Sequence, residues 1–235
     1  LSPLWQMPVN QSSKTGLSEK MTPGDIASLA KSDELVFRAE FSGRLPTARE
    51  RYWRAIVLDD FDGKTWSISK INKQFEGPQT IEYRGESLDY VVIAQPTSTQ
   101  WLYSLDIPIV IQGLATQTIS TNHQFQLTGS SPLHTQGLYA LKSFVEQPLN
   151  IYNGYEDLSQ YLQKPSTGNP ETVEFVKKSI NQSMTTTEKV NKLSAVFASD
   201  EFRYTLSPPL MQSAPIDEFL FENKAGFCSH YASAL

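Results

Sequence analysis

The chain has 235 residues, 39% of them hydrophobic, and a formal net charge of −5 at pH 7. That length accommodates one large domain or two modest ones, and that apolar share supports a packed core rather than wholesale disorder. The acidic balance, with no long basic run, argues against nucleic acid or anionic membrane as partners, and no apolar run approaches the roughly 18 residues a membrane-spanning helix needs.

Residues 1–33 are polar and broken by Pro3, Pro8, Gly16, Pro23 and Gly24, which predicts an irregular lead-in. Leu4, Trp5 and Met7 are its candidate anchors, and Ile26–Lys31 its one short helical turn. The N-terminus shows neither a basic n-region nor an apolar h-region, so no signal peptide is visible. From Glu34 the period becomes two. Leu35, Phe37, Ala39 and Phe41 alternate with Val36, Arg38 and Glu40, the pattern of a half-buried strand. Arg51–Leu58 is expected as a second strand. Asp62-Gly63 should turn a hairpin into Thr65–Ser69, because Asp-Gly tolerates the positive φ of such turns. The acidic run 59–62 superficially suggests a calcium loop but lacks the ligand spacing and closing Glu of that motif.

Further strand-like runs follow at Thr80–Tyr83, Leu88–Ala94, Ile107–Gln112, Thr116–Ser120, Gln124–Thr128 and Leu138–Val145, separated by turn residues. This predicts an antiparallel β-sandwich or barrel-like domain over 1–150. Trp53, Trp66, Trp101, Tyr90 and Tyr139 read as core side chains, with an aromatic ligand platform as the alternative. His123 and His134 have no Cys or carboxylate at metal-ligand spacing, so a zinc site is rejected.

Near residue 150 the character changes to an α-rich segment, 151–235. Tyr155–Gln163 is a helix candidate. Asn169 is a candidate N-cap with Pro170 at the first helical position, and Val173, Val176 and Ile180 give that helix an apolar face. Thr185 and Glu188 have capping-box spacing, with Val190, Leu193, Val196 and Phe197 as the buried stripe that follows. Phe202–Leu206 is extended, Ile216–Phe221 a short helix, and Asn223–Gly226 a turn in which Gly226 supplies angles that a side chain forbids.

The one cysteine of the chain, Cys228, follows this turn and excludes an internal disulfide. The run from Ser229 suits a helix, which places Cys228 at a helix N-terminus, where free N–H groups and the helix dipole favour a thiolate. That makes it a candidate nucleophile; the alternative is an inert buried cysteine. His230 points about 200° around the helix from Cys228, so a structural role is expected for it. Tyr231, Ala232 and Leu235 share the Cys face better.

Gly226-Phe227-Cys228-Ser229-His230-Tyr231-Ala232 resembles the Gly-x-Cys-x-His-Tyr-Ala motif of the transglutaminase-like superfamily. Phe202–Pro209 and Ile216–Glu222 also fit its approach to the Cys. More narrowly, the chain is similar to bacterial membrane-anchored transglutaminase-like proteins (the protein-glutamine γ-glutamyltransferase type). The stretches Thr15–Ser18, Thr22–Ala27, Arg51–Ala55 and Phe61–Trp66 carry that likeness. The resemblance implies an α+β fold, with the N-terminal β-sandwich or barrel-like domain followed by the helical half of a papain-like transglutaminase core. It implies thiol acyl transfer from protein glutamine to an amine or to water, with Cys228 catalytic. It implies a protein or peptide substrate, no metal or organic cofactor, and an extracytoplasmic location with membrane anchors outside this chain. Family catalysis uses a His and an Asp downstream of the Cys, and this chain stops seven residues after Cys228, so neither has a matching position here. A cysteine peptidase or amidase of the same fold, and a non-catalytic cell-envelope interaction module, are the rival readings.

Overall fold

The structure, a computed structural model, describes residues 17–23, 32–69, 80–83, 85–145, 150–152, 159–165 and 167–235. The anchors Leu4, Trp5 and Met7, the turn Ile26–Lys31 and residues 155–158 of the Tyr155–Gln163 candidate lie outside the described residues; the rest of that candidate holds a 3-10 turn, Ser159–Leu162. The fold is α+β, built mainly of antiparallel sheets with sandwich-like packing and a few helices. Its contacts divide the chain into two compact units: Leu1–Ser18, Glu34–Val57 and Lys73–Glu156 form the first, and Glu19–Asp33, Leu58–Asn72 and Asp157–Leu235 the second.

The first unit is centred on a four-stranded antiparallel sheet in the order 107–112, 137–144, 87–94, 37–41. Period-two alternation decides which face is buried. Leu88, Tyr90, Val92 and Ala94 point inward from one central strand, and Tyr139 and Leu141 from its neighbour. Leu102, Leu105, Leu127 and Leu133 close the core from shorter strands and a loop. Each fully buried aliphatic side chain of this kind stabilises by about 1.5–3 kcal/mol. Phe37, Ala39 and Phe41 pack on this core as the alternation predicts, but Leu35 and Val36 precede the strand and are exposed. Tyr90 and Tyr139 are core residues whose hydroxyls serve backbone groups. Tyr90 Oη accepts the Leu105 N–H at 2.8 Å and shares a 2.8 Å bond with Ser143 Oγ; Tyr139 Oη accepts the Tyr103 N–H and donates to the Tyr103 carbonyl.

Several expected elements are shorter than the sequence suggests. Of Arg51–Leu58 only Trp53–Arg54 is strand, because only those residues find a ladder partner, Ser104–Leu105. Residues 122–126 form a turn rather than a strand. Asn122 Oδ1 accepts the N–H groups of Gln124 and Gln126, and Phe125 is held at φ +60°. Strand pairing there begins at Leu127.

In the second unit, Asp60–Phe61 and Trp66–Ser67 form the expected hairpin. Gly63 sits at φ +105°, and the Asp62 carboxylate accepts the N–H groups of Lys64 and Thr65. Those bonds hold the Asp62 carboxyl below the usual carboxylate range. Lys20–Met21 adds a third strand to this hairpin, where the sequence suggested only irregular chain. The helices are α1 (Pro170–Ser179), α2 (Thr186–Ser194), α3 (Pro215–Asp217) and α4 (Cys228–Ala234). The capping box at α2 is present, with Thr185 N–H donating to Glu188 and Glu188 N–H to Thr185 Oγ1. Asn169 does not cap α1: its side chain bonds the Gly63 carbonyl and the N–H groups of Ile216 and Asp217 instead. Val173 and Val190 are exposed rather than buried. Partial burial falls on aromatic rings, the expected Phe197 among them: Phe175 meets Phe221 edge-on at 5.9 Å, and Phe197, Phe202 and Phe221 pack on the core of Ile216, Phe219 and Leu220.

Candidate active site

Cys228 is presented by a short relay of elements. After α3 the chain widens into a π-helical turn, Glu218–Asn223, closed by the Lys224 N–H donating to the Phe219 carbonyl at 2.9 Å. Lys224 takes the left-handed conformation at φ 46° that ends this helix. Ala225–Gly226 then pairs in parallel with Arg203–Tyr204, and Thr205 N–H donates to the Gly226 carbonyl at 2.8 Å. The turn expected at 223–226 is therefore made by Lys224, not by Gly226.

Gly226 has a different reason to be glycine. A Cβ there would stand 2.8 Å from His230 Cβ and Cγ and 2.9 Å from Phe219 Cε2. The requirement is space for the α4 helix to come close, not a special backbone angle.

Phe227 is fully buried and extended, and α4 begins at the next residue. Cys228 is the first helical residue and is exposed, while its neighbours Ser229 and His230 are buried. Ala232 and Leu235 are exposed and Tyr231 half-buried. His230 packs edge-on against Phe227 at 4.6 Å and tilted against Phe219 at 5.6 Å. Its Nδ1 accepts the Phe227 N–H at 3.3 Å, so the neutral ring carries its proton on Nε2. Burial pushes the His230 imidazole below its ordinary value of 6.5. The side chain is built into the support beneath the helix.

Tyr231 links the site to the core. Its ring meets Phe219 at 5.0 Å and Phe197 at 5.4 Å, both edge-on, and stacks on the exposed Tyr204 at 6.2 Å. Trp66, considered from sequence among the core or ligand-binding aromatics, donates from its indole N–H to Ser233 Oγ of α4 at 3.0 Å. No local pattern joins residues so far apart. His123 and His134 belong to the first unit. Open surface hollows border α1 near Glu174, Phe175 and Lys177, and Cys228 lines neither of them.

The sequence and the fold have counterparts among known proteins. Over its full length the chain is 35% identical to the protein-glutamine γ-glutamyltransferase of Pseudomonas aeruginosa across 238 aligned residues, and it spans 35% of the length of that curated relative. The crystal structure of the periplasmic domain of TgpA from the same organism matches with a TM-score of 0.81 and 34% identity. The match covers 94% of this chain and 75% of that one. The ethylmercury-bound form of that domain matches with the same TM-score and identity over 94% and 76%. A family model described as the TgpA N-terminal domain matches residues 1–150. On this match the chain belongs to the TgpA N-terminal domain family.

Proposed function

We propose that this chain is an extracytoplasmic region of a transglutaminase-like enzyme and that Cys228 is its nucleophile. In this reading residues 1–150 form a β-rich region and 151–235 the opening part of the transglutaminase-like core. The observation that carries it is the exposed Cys228 at the first residue of α4, on a helix whose opposite side is anchored by buried Phe227 and His230. A reactive thiol needs access, which the exposed position of Cys228 gives, and support for the helix that carries it, which buried Phe227 and His230 give.

The Cys228 thiolate attacks the carboxamide carbon of a protein-bound glutamine. The C–N bond breaks, the departing amide nitrogen takes up a proton and leaves as ammonia, and a thioester remains. An amine nitrogen then attacks the thioester carbon, the C–S bond breaks, and the thiolate is restored. Water in place of the amine yields glutamate. The Cys228 backbone N–H is the donor proposed for the oxyanion that develops in each step. Proton transfer to the leaving ammonia and from the incoming amine requires a base within hydrogen-bond reach. His230 is turned into Phe219 and Phe227 and its Nδ1 is occupied. The base, and the carboxylate that orients it, are therefore assigned to the remainder of the longer protein.

The test compares the 235-residue chain with one extended past Leu235. Iodoacetamide should label Cys228 in both. Ethylmercury, which one solved relative binds, is thiol-directed and gives an independent count of this single thiol. Amine incorporation into a glutamine-containing protein should occur only with the longer chain and vanish on Cys228→Ala. Robust turnover by the 235-residue chain would return His230 to candidacy as the base.

A further inference from the structure

The hairpin Asp60–Ser67 belongs to the same compact unit as residues 157–235, although it lies within the 150 residues matched by the TgpA N-terminal domain model. Independent contacts tie it there. Trp66 Nε1–H donates to Ser233 Oγ at 3.0 Å in a half-buried setting. Phe61 stacks on Trp66, with centroids 4.7 Å apart and 22° between planes. The same Phe61 packs on the Ile216–Phe219–Leu220 core, which also receives Tyr231 and Ala234 from α4. At the turn, the Gly63 carbonyl accepts Asn169 Nδ2–H at 2.7 Å, and a Cβ on Gly63 would stand 2.7 Å from the Thr167 carbonyl oxygen. The hairpin is thus fixed at its tip and along its strand, and it presents one directional donor to the Cys228 helix.

α4 has seven residues. A helix this short is not stable in isolation, so its orientation is decided by what holds it. Phe227 and His230 hold its first turn through ring packing and the long 3.3 Å bond from the Phe227 N–H to His230 Nδ1, and Tyr231 packs on Phe219 and Phe197. The indole–hydroxyl bond acts on the last turn and is directional. We propose that Trp66 is a positioning residue for Cys228, its bond to Ser233 setting the rotation of α4 and so the direction in which the thiol projects. This rests on the reading of Cys228 as the nucleophile. Misplacement of a reacting group by about 1 Å can cost on the order of a hundredfold in rate, so a single lever on a short helix matters to catalysis.

The test uses the 235-residue protein and the variants Trp66→Phe, Ser233→Ala, their double and Ser233→Thr. Phe keeps a ring to stack on Phe61 but has no N–H; Ala removes the acceptor; Thr retains a hydroxyl. Amide hydrogen exchange across 228–235 and the rate of iodoacetamide alkylation at Cys228 are the readouts. Each single variant should speed exchange in α4 by about three- to tenfold, the scale of one hydrogen bond. The double should do no more than either single, because both delete the same bond. Ser233→Thr should retain the parent values, and strands 87–94 and 137–144 should keep their protection in every variant. Alkylation rates should follow the same non-additive pattern. In a chain extended past Leu235, Trp66→Phe should lower kcat and leave KM unchanged. Additive effects, unchanged α4 exchange in Trp66→Phe, or an equal loss of protection in strands 87–94 and 137–144 would overturn the proposal. Absence of amine transfer by the extended parent would overturn the nucleophile reading instead, with the exchange cycle still deciding the role of Trp66.

Discussion

Asn169 and Asp217 cap each other's helices. Asn169 Oδ1 accepts the N–H groups of Ile216 at 3.0 Å and Asp217 at 3.4 Å, at the start of α3. The Asp217 carboxylate accepts the N–H groups of Glu171 at 2.9 Å and Thr172 at 2.8 Å, and the Thr172 hydroxyl at 2.6 Å, at the start of α1. Both residues are buried. The first turn of each helix has unpaired N–H groups, and here each helix supplies the acceptor for the other. The exchange locks α1 against the segment that leads to Cys228.

Removing either acceptor leaves buried or half-buried donors unpaired, a cost of about 1–3 kcal/mol. Asp217→Ala should lose that much in denaturant unfolding. Asn169 sits at φ 47°, so Asn169→Gly isolates the lost hydrogen bonds without adding strain, and Asn169→Ala should cost more. The double Asn169→Gly/Asp217→Ala should lose less than the sum of the singles, because both act on one interface. Strict additivity would mean the two caps are independent.

Gly226→Ala should destabilise the second unit by about 1–3 kcal/mol, the usual cost of overpacking. The new methyl meets the root of the His230 side chain, which cannot swing away, and the Phe219 ring. Thermal unfolding measures the loss. Cys228 alkylation should change with it, since His230 and Cys228 share the first turn of α4. Wild-type stability in this variant would contradict the close approach.

Stability should fall as the medium is acidified through the His230 range. The folded-state value lies below the ordinary 6.5 because of burial, so the unfolded chain binds the proton more readily. The contribution of neutral His230 is fully present above about pH 6.5 and is lost as pH falls from there toward the folded value. Unfolding midpoints measured against pH should show this loss in the parent and a shallower dependence in His230→Gln. Equal slopes in the two proteins would remove His230 as the cause.

In the first unit, Tyr90→Phe keeps the ring in the core but leaves the Leu105 N–H and Ser143 hydroxyl without their partner. A loss of about 1–3 kcal/mol in chemical unfolding is expected. Burial already pushes the Tyr90 hydroxyl up to about 12, so the group acts as a neutral donor and acceptor throughout the ordinary pH range, and the loss should be independent of pH.

The sequence alone determined what local physics controls. Strand-like runs between turn residues named strands at 88–94 and 138–145, Asp62-Gly63 named a hairpin, Thr185 and Glu188 named a capping box, and the run after Gly226 placed Cys228 at a helix start. Each rests on residues within a few positions of one another, whose relations follow from the strand and helix repeats. The tertiary structure decided what depends on distant partners. It put the 58–72 stretch into one unit with 157–235 and exchanged the caps of Asn169 and Asp217 over 45 to 48 residues. It also joined Trp66 to Ser233 over 167 residues. It left Val173 and Val190 exposed although they lie at apolar spacing. It changed the reason for Gly226 from backbone angle to room for His230 and Phe219. Such contacts form only when the intervening chain has been closed and packed, and periodicity carries no record of which surfaces then meet.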